Sequence, residues 1–171
     1  LGTIAAALAG RKTCRGVIWR AGTGTAMYYL WHAAEIGASP DGRRRGEPFA
    51  TNYSPSLFAK TGGPVSVIRS FTGPDLTRTI NGGPLTLEID ASVFTAEDAA
   101  EKLSALIRYY LMRGGHQLQL NAVSRETLLA AQAHPEKYAH LIVRIWGWSA
   151  YFVELDKPYQ DHVIARHEYA L

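Results

Sequence analysis

The sequence predicts an α/β fold. The runs Leu85–Ile89, His116–Val123 and Leu141–Trp146 read as strands. Segments with apolar residues at helical spacing separate and follow them. Strands and helices therefore alternate along the second half of the chain, as layered α/β architectures require.

Leu1–Leu8 is a mostly apolar run, too short to span a bilayer and with no basic region before it. It reads as a buried helix entered partway, in a chain cut from something larger, since the first residue is Leu rather than Met. Isolated, such a chain is expected to expose an apolar patch and aggregate. From Gly10 to Pro74 glycine and proline recur at short intervals, which predicts loops, with Val65–Ile68 as a short strand. Asn81-Gly82-Gly83-Pro84 reads as a turn, and Leu85–Ile89 alternates like a strand with one covered face. Thr95 is placed to cap a helix, with Asp98 three residues on. Ala99, Leu103, Leu106, Ile107 and Tyr110 line that helix, and Gly114-Gly115 ends it. His116–Val123 is a strand with Leu118 and Leu120 on one face. Ser124 caps the next helix, which Pro135 closes. Leu141–Trp146 is a strand, and Tyr151–Val153 a short strand or bend. Asp156 and Pro158 open a last helix carrying Tyr159, Val163 and Ile164.

Of the 171 residues 47% are hydrophobic and 19% charged, which excludes a disordered composition and suits one domain. The net charge of +3 comes with one dense basic run, Arg43-Arg44-Arg45. Acids flank it and no second basic stretch extends it, so a solvated loop is expected and no nucleic-acid partner. The single cysteine, Cys14, excludes an internal disulfide and a multi-cysteine zinc site, and a cytoplasmic setting is expected. Its cationic neighbours could activate it, but an ordinary thiol is the simpler reading. The histidines lack metal-ligand spacing, and the carboxylates sit at helix starts or on polar faces. No metal site and no membrane partner are expected.

Gly147 lies between two tryptophans in Arg144-Ile145-Trp146-Gly147-Trp148-Ser149-Ala150. Two readings compete. Spacing alone favours a tight turn or bulge that only glycine fits; its bulky neighbours predict that the turn is buried. The chemical alternative rests on the missing side chain. Loss of a Cα hydrogen leaves a planar centre whose unpaired electron is shared with the flanking amide and carbonyl.

Five segments resemble the glycyl radical enzymes, the pyruvate formate-lyase superfamily. Arg144–Ala150 is similar to the radical-site signature Arg-Val-x-Gly-Tyr-Ser/Ala, and Gln160-Asp161-His162-Val163-Ile164-Ala165-Arg166 to the helix pattern after it. Gly115–Asn121 resembles a Gly-x-His-x-Gln-x-Asn strand, with Gln117 at the histidine position. Ala38–Pro48 resembles a Thr-Pro-Asp-Gly-Arg-x-x-Gly-Glu-Pro loop, and Pro135–Tyr138 a Pro-Glu-x-Tyr turn. Two further features depart from the pattern. Trp148 replaces the usual tyrosine, and nothing matches the Gly-Cys-x-Glu loop that carries the family's reactive cysteine.

The resemblance implies the C-terminal portion of a ten-stranded α/β barrel with a terminal glycine-radical loop and helix. It divides the chain into residues 1–115, the end of the barrel domain, and 116–171, the glycine radical domain. It places the radical on Gly147. It assigns recognition by an activating enzyme to Arg144, Ile145, Trp146, Trp148, Ser149 and Ala150. It sets Asn81, Gly82, His116 and Gln119 along the pocket. The radical would be protein-based, with no bound cofactor. A separate activating enzyme that uses S-adenosylmethionine and an iron–sulfur cluster would install it, and a cysteine outside this chain would receive it. A small-molecule substrate and a homodimer are implied, and residues 138–171 would detach to meet the activating enzyme. The implied role is part of a lyase, dehydratase or decarboxylase. The alternatives are a stand-alone radical-donating protein and a non-catalytic module with a structural glycine loop.

Overall fold

The computed structural model describes residues 2–25 and 27–171. A three-stranded, all-parallel sheet has β1 (Leu85–Ile89) at its centre, flanked by β2 (Leu118–Asn121) and β5 (Glu168–Tyr169). A βαβ crossover through α4 (Ala99–Met112) joins β1 to β2, since parallel neighbours cannot be linked by a hairpin. Everything from α5 (Arg125–Ala133) through the antiparallel pair β3 (Ile142–Arg144) and β4 (Ser149–Tyr151) to α6 (Lys157–Ile164) lies between β2 and β5 in the chain. In the first part, α1 (Gly2–Leu8), α2 (Tyr28–Trp31) and α3 (Pro64–Phe71) are set among loops.

Two cores result. Val67, Ile68 and Phe71 of α3, all of β1's apolar residues, Leu106 and Tyr110 of α4, and Tyr169 of β5 form the first. Leu128, Ala131, Val143, Ile145, Phe152, Val163 and Ile164 form the second. No residue is shared between them. The second core therefore closes within residues 128–164, and the sheet lies outside it.

Several expectations change. Val65–Ile68 belongs to a helix: Pro64 at its first turn suits a helix start, and burial of Val67, Ile68 and Phe71 follows one helical face. β1 is buried on both faces: Leu85, Leu87 and Ile89 pack with α3 and α4 in the first core, while Thr86 and Glu88 on the other face are covered by Gln119, Asn121 and Arg166. Thr95 caps nothing; its hydroxyl donates to the Ser92 carbonyl in a short 3-10 turn, and α4 starts after Asp98. The strand before Gly147 is three residues long, because the chain turns back on itself at once. Ser124 caps α5 as expected, its Oγ accepting from the Thr127 N–H at 3.2 Å. Helix α1 forms over the described part of Leu1–Leu8, Leu1 lying outside the described residues, but buries only Ala5 within this chain. Arg43 departs from the solvated-loop reading: it is buried, stacks 4.2 Å over the Phe49 ring, and donates to the carbonyls of Ile36, Gly37, Arg44 and Glu47. Arg44 and Arg45 do face solvent. Among the described residues no helix is long and apolar enough to cross a membrane.

Candidate functional site

Gly147 sits at the tip of the β3–β4 hairpin. Arg144 pairs with Ser149, and the Ile145 N–H donates to the Trp148 carbonyl at 3.0 Å, leaving Trp146 and Gly147 as the tip. Gly147 has φ +66°, the left-handed region that a turn's third position demands and glycine adopts freely. An added Cβ would meet nothing nearer than Gln119 Nε2 at 3.9 Å. Backbone conformation, not space, thus restricts this position. Contrary to expectation, Gly147 is exposed within this chain. Val143 and Ile145 anchor the hairpin in the second core, and the tip projects beyond it.

The tip reaches a cleft of about 350 Å³ lined by Gly22, Gly24, Asn81, Gly82, Gly83, Pro84, Gln117, Trp146 and Gly147. Two glycine-rich loops make its far wall. The Thr23 N–H donates to the Gly82 carbonyl at 2.8 Å, and the Asn81 N–H to the Ala21 carbonyl at 2.9 Å. Gln117 Oε1 accepts from the Gly83 N–H at 2.8 Å and fixes the second loop. The loops approach this closely because Gly83 has no Cβ, which would overlap Thr23. Among the described residues that line the cleft, Asn81 and Gln117 are neutral amides, Trp146 adds an indole, and none carries a formal charge.

The two tryptophans differ. Trp148 is 37% exposed, whereas Trp146 is partly buried with its ring over Gly24, where a Cβ would stand 2.4 Å from Cζ2. Gly24→Ala is therefore expected to displace the indole and lower stability by about 1–3 kcal/mol, the usual range for overpacking. In a Trp146→Ala background the same substitution should cost nothing, which a double-mutant unfolding cycle measures.

Of the expected pocket residues, Asn81 and Gly82 share the cleft with Gly147. His116 lies on a neighbouring opening, beside Thr79. Gln119 is buried behind the hairpin, next to Thr86. Arg144 reaches across the hairpin to Ser149 Oγ at 3.0 Å, and Ala150 pairs with Val143.

Beneath the tip lies a polar assembly that the sequence reading missed. Asn121, at the end of β2, accepts from the Arg144 N–H at 2.7 Å and donates to the Arg144 carbonyl at 3.0 Å. Its side chain supplies the hydrogen bonds a neighbouring strand would. Arg166, just beyond α6, donates to the Arg144 carbonyl at 3.0 Å and the Ile145 carbonyl at 3.1 Å. Glu88 Oε1, on β1, accepts from Asn121 Nδ2 at 3.1 Å and from Arg166 Nη1 at 2.9 Å. The Glu88–Arg166 pair is nearly buried, with side chains 11% and 8% exposed. The legible signal was Gln119 and Asn121, polar residues on one face of a strand, which prove more buried than Leu118 and Leu120.

His162 of α6 is buried against Tyr29, at 4.6 Å between ring centroids, near Thr51 Oγ1 and Arg166. Burial first, and the Arg166 cation second, push its pKa down to about 3. The unfolded chain takes up this proton near pH 6.5, whereas the folded protein resists it until about pH 3. The associated stability is thus complete above pH 6.5 and is lost as pH falls through that window. Lowering pH from 7 to 5 should cost roughly 2 kcal/mol through this group, and His162→Gln should flatten that slope in unfolding measurements.

Residues 49–153 match the family described as "Glycine radical". The chain is 33% identical over 159 residues to trans-4-hydroxy-L-proline dehydratase of Clostridioides difficile, covering 93% of this chain and 20% of that protein. It is 38% identical over 139 residues to indoleacetate decarboxylase of Tractidigestivibacter scatoligenes, covering 81% of this chain and 16% of that protein. Its fold superposes on the glycerol-bound form of the B12-independent glycerol dehydratase from Clostridium butyricum with a TM-score of 0.92 and 34% identity, over 98% of this chain and 21% of that one. The chain spans about one fifth of the length of the curated relatives it matches.

Proposed function

Because the chain belongs to the glycyl radical enzyme family, we propose that it is the C-terminal part of such an enzyme and stores the radical on Gly147. The observation that carries this reading is the position of Gly147: a left-handed turn tip, free of side-chain obstruction, on the wall of a neutral cleft. One Cα hydrogen leaves as a hydrogen atom to a separate activating enzyme that uses S-adenosylmethionine and an iron–sulfur cluster. The remaining electron is shared along the backbone. When the radical then takes a hydrogen atom from a cysteine thiol, glycine is restored and a thiyl radical forms; that radical draws hydrogen from a small-molecule substrate.

Cys14 does not line the cleft, which supports a receiving cysteine outside this chain. The parallel sheet would be the end of a ten-stranded barrel, residues 1–115 its last segment and 116–171 the glycine radical domain. Arg144, Trp146, Trp148, Ser149 and Ala150 form the exposed or half-exposed parts of the hairpin and suit recognition by the activating enzyme; Ile145, buried, serves to anchor it. Asn81 and Gly82, with Gln117, would face the substrate side. The reaction would be of the dehydratase or decarboxylase kind, in a homodimeric, cytoplasmic enzyme.

The test uses oxygen. The full-length protein is activated anaerobically with its activating enzyme, S-adenosylmethionine and a reductant, then exposed to air and analysed by mass spectrometry. Oxygen adds at the radical carbon and the chain breaks there, so a cut at Gly147 is expected. An activated protein that remains whole in air would contradict the assignment.

A further inference from the structure

The geometry points to Asn121, Glu88 and Arg166 as positioning residues that hold the Gly147 turn against the cleft. This proposal rests on the reading of Gly147 as the radical site, but its physical basis is separate. The hairpin β3–β4 belongs to the second core and forms its own two-stranded sheet. Among the described residues, no strand pairing joins β3 to the main sheet. The tie is instead made by side chains: the Asn121 amide occupies both main-chain groups of Arg144, and the Arg166 guanidinium bridges the Arg144 and Ile145 carbonyls. Ile145 is two residues before Gly147, so fixing its carbonyl fixes the approach to the turn.

Glu88 makes this one device rather than two. A single oxygen, Oε1, accepts from both Asn121 and Arg166, so the carboxylate on β1 orients both arms. The three residues come from three different strands or strand ends: Glu88 within β1, Asn121 ending β2, and Arg166 two residues before β5. The second core runs between the last two. Its connections to the sheet, at residue 122 and at residues 165–167, leave on either side of β1. The polar clamp therefore sits where the hairpin-bearing unit joins the sheet. Weakening it should loosen the turn without dissolving either core.

The experiment compares the full-length protein with its Asn121→Ala and Arg166→Lys variants. Hydrogen exchange is followed at amides 142–151 and, as an internal control, at amides 99–112 of α4. Asn121→Ala should speed exchange of the hairpin on the order of tenfold, the loss of one or two net hydrogen bonds, with α4 unchanged. Arg166→Lys keeps a cation beside Glu88 but not the two-carbonyl fork, and should give a smaller change at the same amides. If Asn121→Ala does not fold, the Arg166→Lys result decides alone. In activated protein, looser variants should form spin faster and turn over less substrate per spin. Equal acceleration in hairpin and α4, or none in either, would overturn the proposal, as would spin formation and turnover per spin falling together. Faster hairpin exchange in a protein that never yields a glycyl signal would uphold the clamp and reject the radical reading instead.

Discussion

Glu88→Ala is expected to lower the unfolding free energy by about 3–5 kcal/mol, the range for removing one partner of a buried ion pair. The reason is what it strands. Arg166 keeps its two carbonyl acceptors but loses its counter-charge in a site only 8% exposed. Asn121 Nδ2 loses one of its two acceptors. Neither group can turn to solvent without releasing Arg144. Glu88→Gln, which keeps an acceptor without the charge, should cost less. Replacing both Glu88 and Arg166 by apolar residues of similar volume should recover much of the loss, because the desolvation of both charges disappears together. Urea unfolding followed by circular dichroism measures all three. If Glu88→Ala cost no more than a surface substitution, about 0.5 kcal/mol or less, the buried pair would not hold the hairpin as described.

Gly147→Ala should abolish both the radical signal and the oxygen-dependent cut while leaving the fold in place. No neighbour obstructs the new methyl, so the cost is conformational. A non-glycine residue at φ +66° loses about 1–2 kcal/mol, small against what two cores supply. Gly147→Asn separates the two effects further. Asparagine tolerates the left-handed region better than alanine, so it should preserve the turn more fully. It should still show neither signal nor cut, because its side chain crowds the carbon that must become planar. Equal stability loss in both variants, beyond about 3 kcal/mol, would instead mark Gly147 as a structural residue.

Much of the second half was legible because local signals agreed with tertiary demands. Ser124 capped α5, Gly114-Gly115 closed α4, and β1 was a strand both by pattern and in place. Gly115 also shows why glycine pairs are informative: a Cβ there would enter the Tyr110 ring, whose hydroxyl donates to the Gln117 carbonyl at 2.6 Å and whose pKa burial raises to about 12. The failures arose where distant residues decide. β5 is two residues long and exists only because Glu168 and Tyr169 pair with β1, far earlier in the chain. Val65–Ile68 has a strand-like apolar pattern, but Pro64 suits the first turn of a helix and the segment is helical. Arg43 was read by its charged neighbours, but its environment is set by the carbonyls that its loop folds around it.

The site was legible in its centre and hidden in its support. Gly147 stands out in sequence because a glycine between two tryptophans needs a reason. Asn121 and Arg166 each close a motif legible in sequence, but nothing in sequence joins them to each other or to Glu88; β1, β2 and the end of α6 do so, through hydrogen bonds of 2.9–3.1 Å. The turn's exposure was also unreadable, since bulky neighbours suggested burial, while full burial in the hairpin stops at Val143 and Ile145.

Electron paramagnetic resonance on the activated full-length protein locates the radical directly. A carbon-centred doublet is expected, split by the single hydrogen left on the Gly147 Cα. Protein grown on glycine deuterated at that carbon should show the doublet collapse, and Gly147→Asn should show no signal. A signal that survives in Gly147→Asn, or that ignores deuteration of glycine, would place the radical on another residue.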